Sequence, residues 1–448
     1  MCNMKINLDK GSEFIISTLY ENGFEAYAVG GCVRDSLMGK IPSDIDICTS
    51  ALPEKAFDIF ESIGLKTFKT GIRHGTITVL YEDIPYEITT YRVDGDYLDS
   101  RHPENVKFVR NLREDLARRD FTINAMAYNS KVGLIDLFGG LYDIKNKVIR
   151  TVENPNQRFS EDALRILRCL RFSSVLGFEI EAETANSAIK LKDSLNNISA
   201  ERINIELNKL LCGKNAEYIL MNYTDILAVF IPEIKPMIGF KQNNIHHIYD
   251  IWQHTVKAVI NAPADTTLRL TMLFHDIGKP ECYTIEKDNM GHFYGHADIS
   301  ADMASKILHR LKYDNETIHT VTKLIHYHDI QLNATEKSVK KLLNKLGELL
   351  FNLLMEVKKA DTLGLNPDYH NERFNFFAEI VAIKNKILSE NQCFSLKDLA
   401  VKGGDIINIG IEPGPKIGII LNEILELTLE NNLPNNKDKI LDYIKNNY

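Results

Sequence analysis

The hydrophobic period of this chain changes once, near residue 150, and that change limits what it can fold into. Before that point, short runs rich in Ile, Val, Thr and Tyr read as strands: Ala26–Gly31, Ile45–Cys48, Gly75–Tyr81 and Tyr86–Arg92. Helical spacing interrupts them at Glu13–Asn22 and Glu54–Ile63. After about residue 155 the strand signal nearly vanishes, and apolar residues recur at helical spacing in Ser160–Leu176, Ala200–Leu211 and Ala301–Leu311. The pattern predicts an α+β N-terminal domain, a mixed sheet with helices, followed by an all-α remainder.

A chain of 448 residues exceeds one ordinary core. Short Pro, Gly and Asn clusters suggest a division into residues 1–150, 151–235, 236–375 and 376–448. No apolar run approaches the roughly 20 residues that span a bilayer, so no membrane association is expected. The first residues lack the apolar stretch of a secretory signal. The seven cysteines form no C-x-x-C pair and are odd in number, which points to reduced thiols and a cytoplasmic protein. The net charge of −8 advertises no nucleic-acid partner, so any such binding needs a local basic surface.

Ser43-Asp44-Ile45-Asp46-Ile47 alternates polar and apolar residues, placing Asp44 and Asp46 on one side of a strand. Their Cα atoms would lie about 6.5–7 Å apart, close enough to share Mg²⁺. Two such ions can activate an attacking hydroxyl and neutralise a leaving pyrophosphate. The bland alternative is a pair of aspartates on the wet face of an edge strand. Upstream, Gly30-Gly31-Cys32-Val33-Arg34-Asp35 opens a helix-like segment ending at Gly39. Glycines let backbone approach a phosphate, and Arg34 adds positive charge. A Gly turn, an arginine and Asp-x-Asp in close succession are far more specific than any one of them.

This order resembles the nucleotidyltransferases of the DNA polymerase β superfamily. Gly30-Gly31-x-Val33-Arg34-Asp35-x-Leu37-x-Gly39 followed by Asp44-x-Asp46 is similar to the opening motif of class II CCA-adding enzymes and bacterial poly(A) polymerases. The resemblance implies a nucleotidyltransferase head on residues 1–150, a helical neck binding nucleotide and RNA on 151–235, a body on 236–375 and a tRNA-binding tail on 376–448. Glu87 is a candidate third carboxylate or an ordinary strand residue.

Arg118-Arg119-Asp120-Phe121-Thr122-Ile123-Asn124 sets two arginines beside an apolar run, fit for triphosphate contacts or for an Arg–Asp network capping a helix. In Ser160–Arg171, Asp162, Arg165, Arg168 and Arg171 share one half of a helical wheel, with Ser160 as N-cap. Such a face is either solvated or a surface for bases and phosphates. Both segments match the class II family in order and spacing. The resemblance implies that Gly31, Arg34 and Arg119 hold the nucleotide and that Asp162 and Arg165 read the incoming base. Arg168 and Arg171 would continue that surface. Arg92–Pro103 resembles the family's flexible loop, and Glu201-Arg202-x-x-x-Glu206-Leu207 a bracing helix. Gly410–Gly418 resembles a C-terminal segment that grips tRNA.

Farther on, His254, His275-Asp276-Ile277-Gly278-Lys279 and Asp361 resemble the HD metal site of phosphohydrolases. Neutral imidazoles and carboxylates can hold a divalent metal, so His254, His275, Asp276 and Asp361 are candidate ligands for a second metal. His296, His326 and His328 are candidates to enlarge the site. The expected function is Mg²⁺-dependent, template-independent addition of CCA to tRNA 3′ ends from CTP and ATP. The alternatives are a poly(A) polymerase, a CC-adding enzyme, or an HD phosphohydrolase with an RNA-binding head.

Overall fold

The computed structural model describes residues 6, 8–94, 106–286 and 290–448. Its chain forms two compact units, Met1–Pro232 and Glu233–Tyr448. In the first unit the strands as far as Asp136 are β1 (Ala26–Val29), β2 (Ile47–Thr49), β3 (Thr67–Gly71), β4 (Thr76–Tyr81), β5 (Ile84–Thr90), β6 (Arg92–Asp94), β7 (Val106–Phe108), β8 (Met126–Asn129) and β9 (Gly133–Asp136). Seven of them make one sheet in the order β3-β4-β5-β2-β1-β8-β9, while β6 and β7 pair separately. The sheet is mixed, as the alternation predicts. β1 runs antiparallel to both β2 and β8, and β2 runs parallel to β5, with Ile47 opposite Ile88.

Strand β1 shows why this sheet is central to the unit. Ala26 and Ala28 point into one core with Ile47, Ile77, Val79 and Ile88. Tyr27 and Val29 point the other way, against Cys48, Tyr91, Leu112 and Ala127. A strand buried on both faces carries small and branched apolar residues at every position. The strands β3, β8 and β9 fall outside the predicted set: β3 is largely exposed, and the β8 sequence Met-Ala-Tyr-Asn carries no alternation.

The helical part of this unit contains one correction. The predicted helix Ser160–Leu176 is two helices, Pro155–Glu161 and Leu164–Leu176. Asp162 between them has extended backbone, φ −139° and ψ 104°. Ser160 therefore lies in the last turn of the first helix; the cap of that helix is Asn154, whose side chain accepts from the amides of Asn156 and Gln157. Pro155 in its first turn fixes the start. Helix Leu164–Leu176 packs on helix Ala200–Leu211, which ends two residues before Gly213.

The second unit is helical apart from a short two-stranded ribbon, Thr284–Ile285 with Gly291–His292. Ile251–Asn261, Thr266–Phe274, His296–Arg310, Asn315–His328 and Glu336–Leu363 surround its buried centre. The last of these is broken at Gly347, whose φ of +73° is the left-handed region glycine favours. A separate apolar cluster from Cys393 to Ile444 organises the C-terminal helices. No helix is long and apolar enough to cross a membrane, among the described residues.

Gly213 meets the last turn of helix Leu164–Leu176 so closely that a Cβ there would stand 2.1 Å from Ser174 Oγ and 2.6 Å from its carbonyl carbon. Gly213→Ala is expected to destabilise the first unit by about 1–3 kcal/mol, the usual cost of overpacking. Chemical denaturation measures it, and an unchanged midpoint would mean that these helices part without cost.

Candidate functional site

Asp44 and Asp46 lie in the extended approach to β2 and not within the strand itself, as the sequence had suggested. The extension is nonetheless held in register, because the Val29 amide donates to the Asp46 carbonyl at 3.0 Å. Both aspartates are exposed while Ile45 between them is half-buried, so the alternation survives. One residue back along the parallel β2–β5 register, Asp46 comes beside Glu87, which is exposed on β5. Partial desolvation first, then the charges of Asp44 and Glu87, hold the Asp46 carboxyl above the ordinary aspartate range, with Arg119 pulling the other way. Three carboxylates thus share one electrostatic site.

Gly30 forms the turn before helix Gly31–Leu37, with φ of +83°. A Cβ there would sit 3.1 Å from Arg119 Nη1, so the glycine also makes room for that guanidinium. Arg34 is buried and braces the turn. Its Nε and Nη2 donate to the Asp35 carboxylate at 2.9 Å each, and Nη1 donates to Asn124 Oδ1 at 2.7 Å. Arg118 and Arg119 both reach Asp115, at 2.9 and 3.4 Å. The Arg–Asp network considered for this segment is therefore present. Asp115 was missed, although its i+3 and i+4 spacing to the two arginines was legible.

The arginine face of helix Leu164–Leu176 is not a free solvated stripe. Arg165 Nη1 donates to Glu161 Oε2 at 2.7 Å and to the Arg158 carbonyl, and Nη2 to the Arg118 carbonyl. Arg168 pairs with Asp120 at 2.6 Å, and Arg171 with Glu206 at 2.7 Å while lying 3.7 Å from the Phe172 ring centroid. Asp162 meets Arg165 through the backbone, its carbonyl accepting from the Arg165 amide at 2.9 Å, while the two side chains pair elsewhere. Its Oδ1 accepts from the Leu164 amide at 3.0 Å and its Oδ2 from Arg202 at 2.8 Å. The helix carrying Arg202 and Glu206 thus touches the elements it was expected to brace. Residues 95–103, most of the loop compared with the family's flexible segment, lie outside the described residues.

In the second unit, His254, His275, Asp276 and Asp361 converge as the spacing suggested. His254 Nε2 lies 3.3 Å from Asp276 Oδ2 and 3.0 Å from Asp361 Oδ1, and His275 Nε2 lies 3.3 and 3.5 Å from the same oxygens. Burial opposes an imidazolium, but the two aspartates outweigh it and lift His275 to about 10. The pocket thus favours positive charge where these groups meet. His296 and His328 join the cluster through Asp276 Oδ1, at 3.4 and 3.7 Å. His326 does not; it is exposed and pairs with Asp298. A cavity of about 300 Å³ opens onto Asp276, His296, His328 and Asp361 and is rimmed by Lys279 and Arg373. Arg373 carried no sequence signal.

A family model described as Poly A polymerase head domain matches residues 26–150, and one described as Probable RNA and SrmB- binding site of polymerase A matches residues 177–238. A tRNA nucleotidyltransferase domain 2 model matches residues 290–444. The CCA-adding enzyme of Lactobacillus delbrueckii subsp. bulgaricus is 34% identical over 96% of this chain and 96% of its own length. That of Staphylococcus haemolyticus is 33% identical over 97% and 96%. The crystal structure of the Bacillus stearothermophilus CCA-adding enzyme in complex with CTP superposes with a TM-score of 0.68, at 27% identity, covering 97% of this chain and 96% of that one.

Burial alone would raise the Asp120 pKa, but the Arg168 charge and the Asn124 and Arg168 hydrogen bonds outweigh it and bring it to about 2. A folded value below the unfolded 3.8 contributes stability that is present above pH 3.8 and lost as pH falls through 2. Asp120→Asn is expected to cost about 2–4 kcal/mol at pH 7, because it also strands Arg168. The gap between parent and variant, measured by denaturation, is expected to close between pH 4 and pH 2; a pH-independent gap would deny the ionic origin.

Proposed function

Because this chain belongs to the CCA-adding enzyme family of tRNA nucleotidyltransferases, we propose that it adds CCA to tRNA 3′ ends, without a template, from CTP and ATP. The observation that carries the reading is the meeting of Asp44, Asp46 and Glu87 beside Arg119. A site that crowds hard oxygen donors of like charge suits Mg²⁺. With Asp44 and Asp46 as its ligands, Mg²⁺ supplies Lewis-acid stabilisation of charge on the reacting phosphate.

In the reaction the terminal hydroxyl oxygen of the RNA bonds to the α-phosphorus of the nucleoside triphosphate. The bond from that phosphorus to the β-phosphate bridging oxygen breaks, and pyrophosphate leaves. Arg119 is read as the counter-charge of the triphosphate, Gly30 leaves room for its guanidinium, and Gly31 lets backbone approach the phosphates. Arg34 acts by fixing this turn through Asp35 and Asn124. Asp162 and Arg165 are read as the base-selecting pair, an acceptor and a donor side chain held by Arg202 and Glu161. Arg168 and Arg171 keep that helix in place through Asp120 and Glu206.

The fourfold division supports this work. Residues 1–150 serve as the catalytic head, 151–235 as the nucleotide- and RNA-binding neck, 236–375 as an HD body and 376–448 as the tRNA-gripping tail. His254, His275, Asp276 and Asp361 are read as ligands of a further divalent metal in that body. The six described cysteines are free thiols, which suits a reducing cytoplasm.

With Mg²⁺ and a tRNA transcript lacking CCA, CTP alone is expected to add two residues, and CTP with ATP three. Long tails from ATP alone would make the chain a poly(A) polymerase. Asp44→Ala or Asp46→Ala is expected to lower addition by about 10³-fold or more, a loss of several kcal/mol of charge stabilisation. Arg202→Ala releases a charge-assisted hydrogen bond from Asp162, so KM for CTP and ATP is expected to rise about tenfold, with a smaller change in kcat. Equal loss in kcat and kcat/KM would instead make Arg202 part of the chemical step.

A further inference from the structure

Phe172, on helix Leu164–Leu176, is 5% exposed, and three guanidiniums close on its ring. The Cζ atoms of Arg34, Arg168 and Arg171 stand 5.2, 5.4 and 3.7 Å from the ring centroid. All three lie within the roughly 6 Å at which the face of a ring attracts a cation. The Phe121 ring meets Phe172 edge to face, with centroids 5.6 Å apart. Arg168 and Arg171 belong to the same helix as Phe172, but Arg34 comes from helix Gly31–Leu37, far earlier in the chain.

The edges of these guanidiniums are already engaged. Arg34 pairs with Asp35 at 2.9 Å, Arg168 with Asp120 at 2.6 Å and Arg171 with Glu206 at 2.7 Å. Asn124 joins the first two pairs, accepting from Arg34 at 2.7 Å and donating to Asp120 at 3.1 Å. Three arginines against three carboxylates leave the group no surplus charge for a phosphate. The planar faces remain, and an aromatic ring attracts such a face where an aliphatic side chain of like size does not. The ring joins two ends of the candidate site. Through Arg34 it reaches the Gly30 turn, where the neighbouring Val29 amide donates to the Asp46 carbonyl. Along its own helix, Arg165 stands seven residues back, within about 20° of the same angle. The first turn of that helix is tied to Asp162, whose Oδ1 accepts from the Leu164 amide at 3.0 Å.

We propose that Phe172 is a positioning residue: its ring locks the glycine turn beside Asp46 to the helix that carries Arg165, so that base choice and α-phosphate placement are set together. The inference rests on the nucleotidyl-transfer reading and adds to it a residue that reads no base and binds no metal itself. Without the ring, Asp162 and Arg165 keep their partners Arg202 and Glu161, so the nucleotide still binds. The helix that bears Arg165 is then free to shift against the turn, and a misplacement of about 1 Å at a reacting centre costs about 10²-fold in rate. A wrong base is placed nearly as well as a right one. The loss therefore falls on kcat and on selectivity, and KM stays close to its parental value.

The test uses the full chain with Mg²⁺ and a tRNA transcript lacking CCA. Phe172→Leu is expected to lower kcat with CTP about 10–100-fold, to keep KM within about threefold, and to cut the preference for CTP over UTP by about tenfold or more. A second series replaces Phe172 with mono-, di- and trifluorophenylalanine, which keep the shape of the ring while draining charge from its face. Here kcat is expected to fall with each fluorine, by about tenfold in all. If Phe172→Leu does not fold, this series decides alone. A Phe172→Leu chain that melts earlier, yet keeps parental kcat and selectivity below its melting temperature, would reduce the ring to core packing and overturn the role. A rise in KM with kcat unchanged would place Phe172 in nucleotide binding and overturn it too. A flat fluorine series would overturn the cation–π contact as the lock. A parent chain that extends no tRNA would overturn the transfer reading and this role with it, whereas a working parent beside an equally active Phe172→Leu overturns the role alone.

Discussion

The ion pair between buried Asp120 and half-buried Arg168 is the contact on which the first unit depends. Asp120 follows directly on Arg119, and Arg168 lies one turn beyond Arg165 on its helix. One interaction of 2.6 Å therefore ties the segment beside the carboxylate site to the helix assigned to base selection. The Asp120 carboxylate stays charged out of water because it is not held by Arg168 alone: Asn124 and the Phe121 amide donate to it as well, and Glu206 lies 3.8 Å from Arg168. Paired buried charges with their remaining lone pairs satisfied fix geometry even where their net contribution to stability is modest.

The two candidate sites solve opposite electrostatic problems. The head gathers exposed carboxylates, so it carries surplus negative charge that water partly screens. The body buries four imidazoles beside Asp276 and Asp361, where screening is weak and the two carboxylates favour positive charge. Hard oxygen donors in the head suit Mg²⁺, and mixed nitrogen and oxygen donors in the body suit softer ions. The two sites thus offer donor sets of different chemistry.

Much of this was legible beforehand, and what was not has identifiable causes. β4 and β5 followed from their Ile, Val, Thr and Tyr content, β1 from an apolar run that meets the Gly30-Gly31 turn, and the histidines from their order along the chain. β8 escaped because a strand buried on both faces loses its period. The break at Asp162 escaped because the apolar spacing runs through it; the hydrogen bonds that the Asp162 side chain accepts from Leu164 and Arg202 replace helix at that point. The arginine wheel was correct in angle and wrong in environment. Whether such a face meets water or carboxylates depends on Asp120, Glu161 and Glu206, and on how the chain folds back.

The sequence by itself determined the class of fold, the aspartate pair behind its glycine turn, and which histidines and aspartates were available to a metal. Those depend on residue type and on spacing along one segment, which local backbone geometry converts directly into position. The tertiary structure decided which charges are shared: Glu87 beside Asp46 through a parallel strand pairing, Asp120 under Arg168, and Asp276 between two histidine couples. Each joins segments far apart in the chain, and contacts of that kind arise only when the cores close around them.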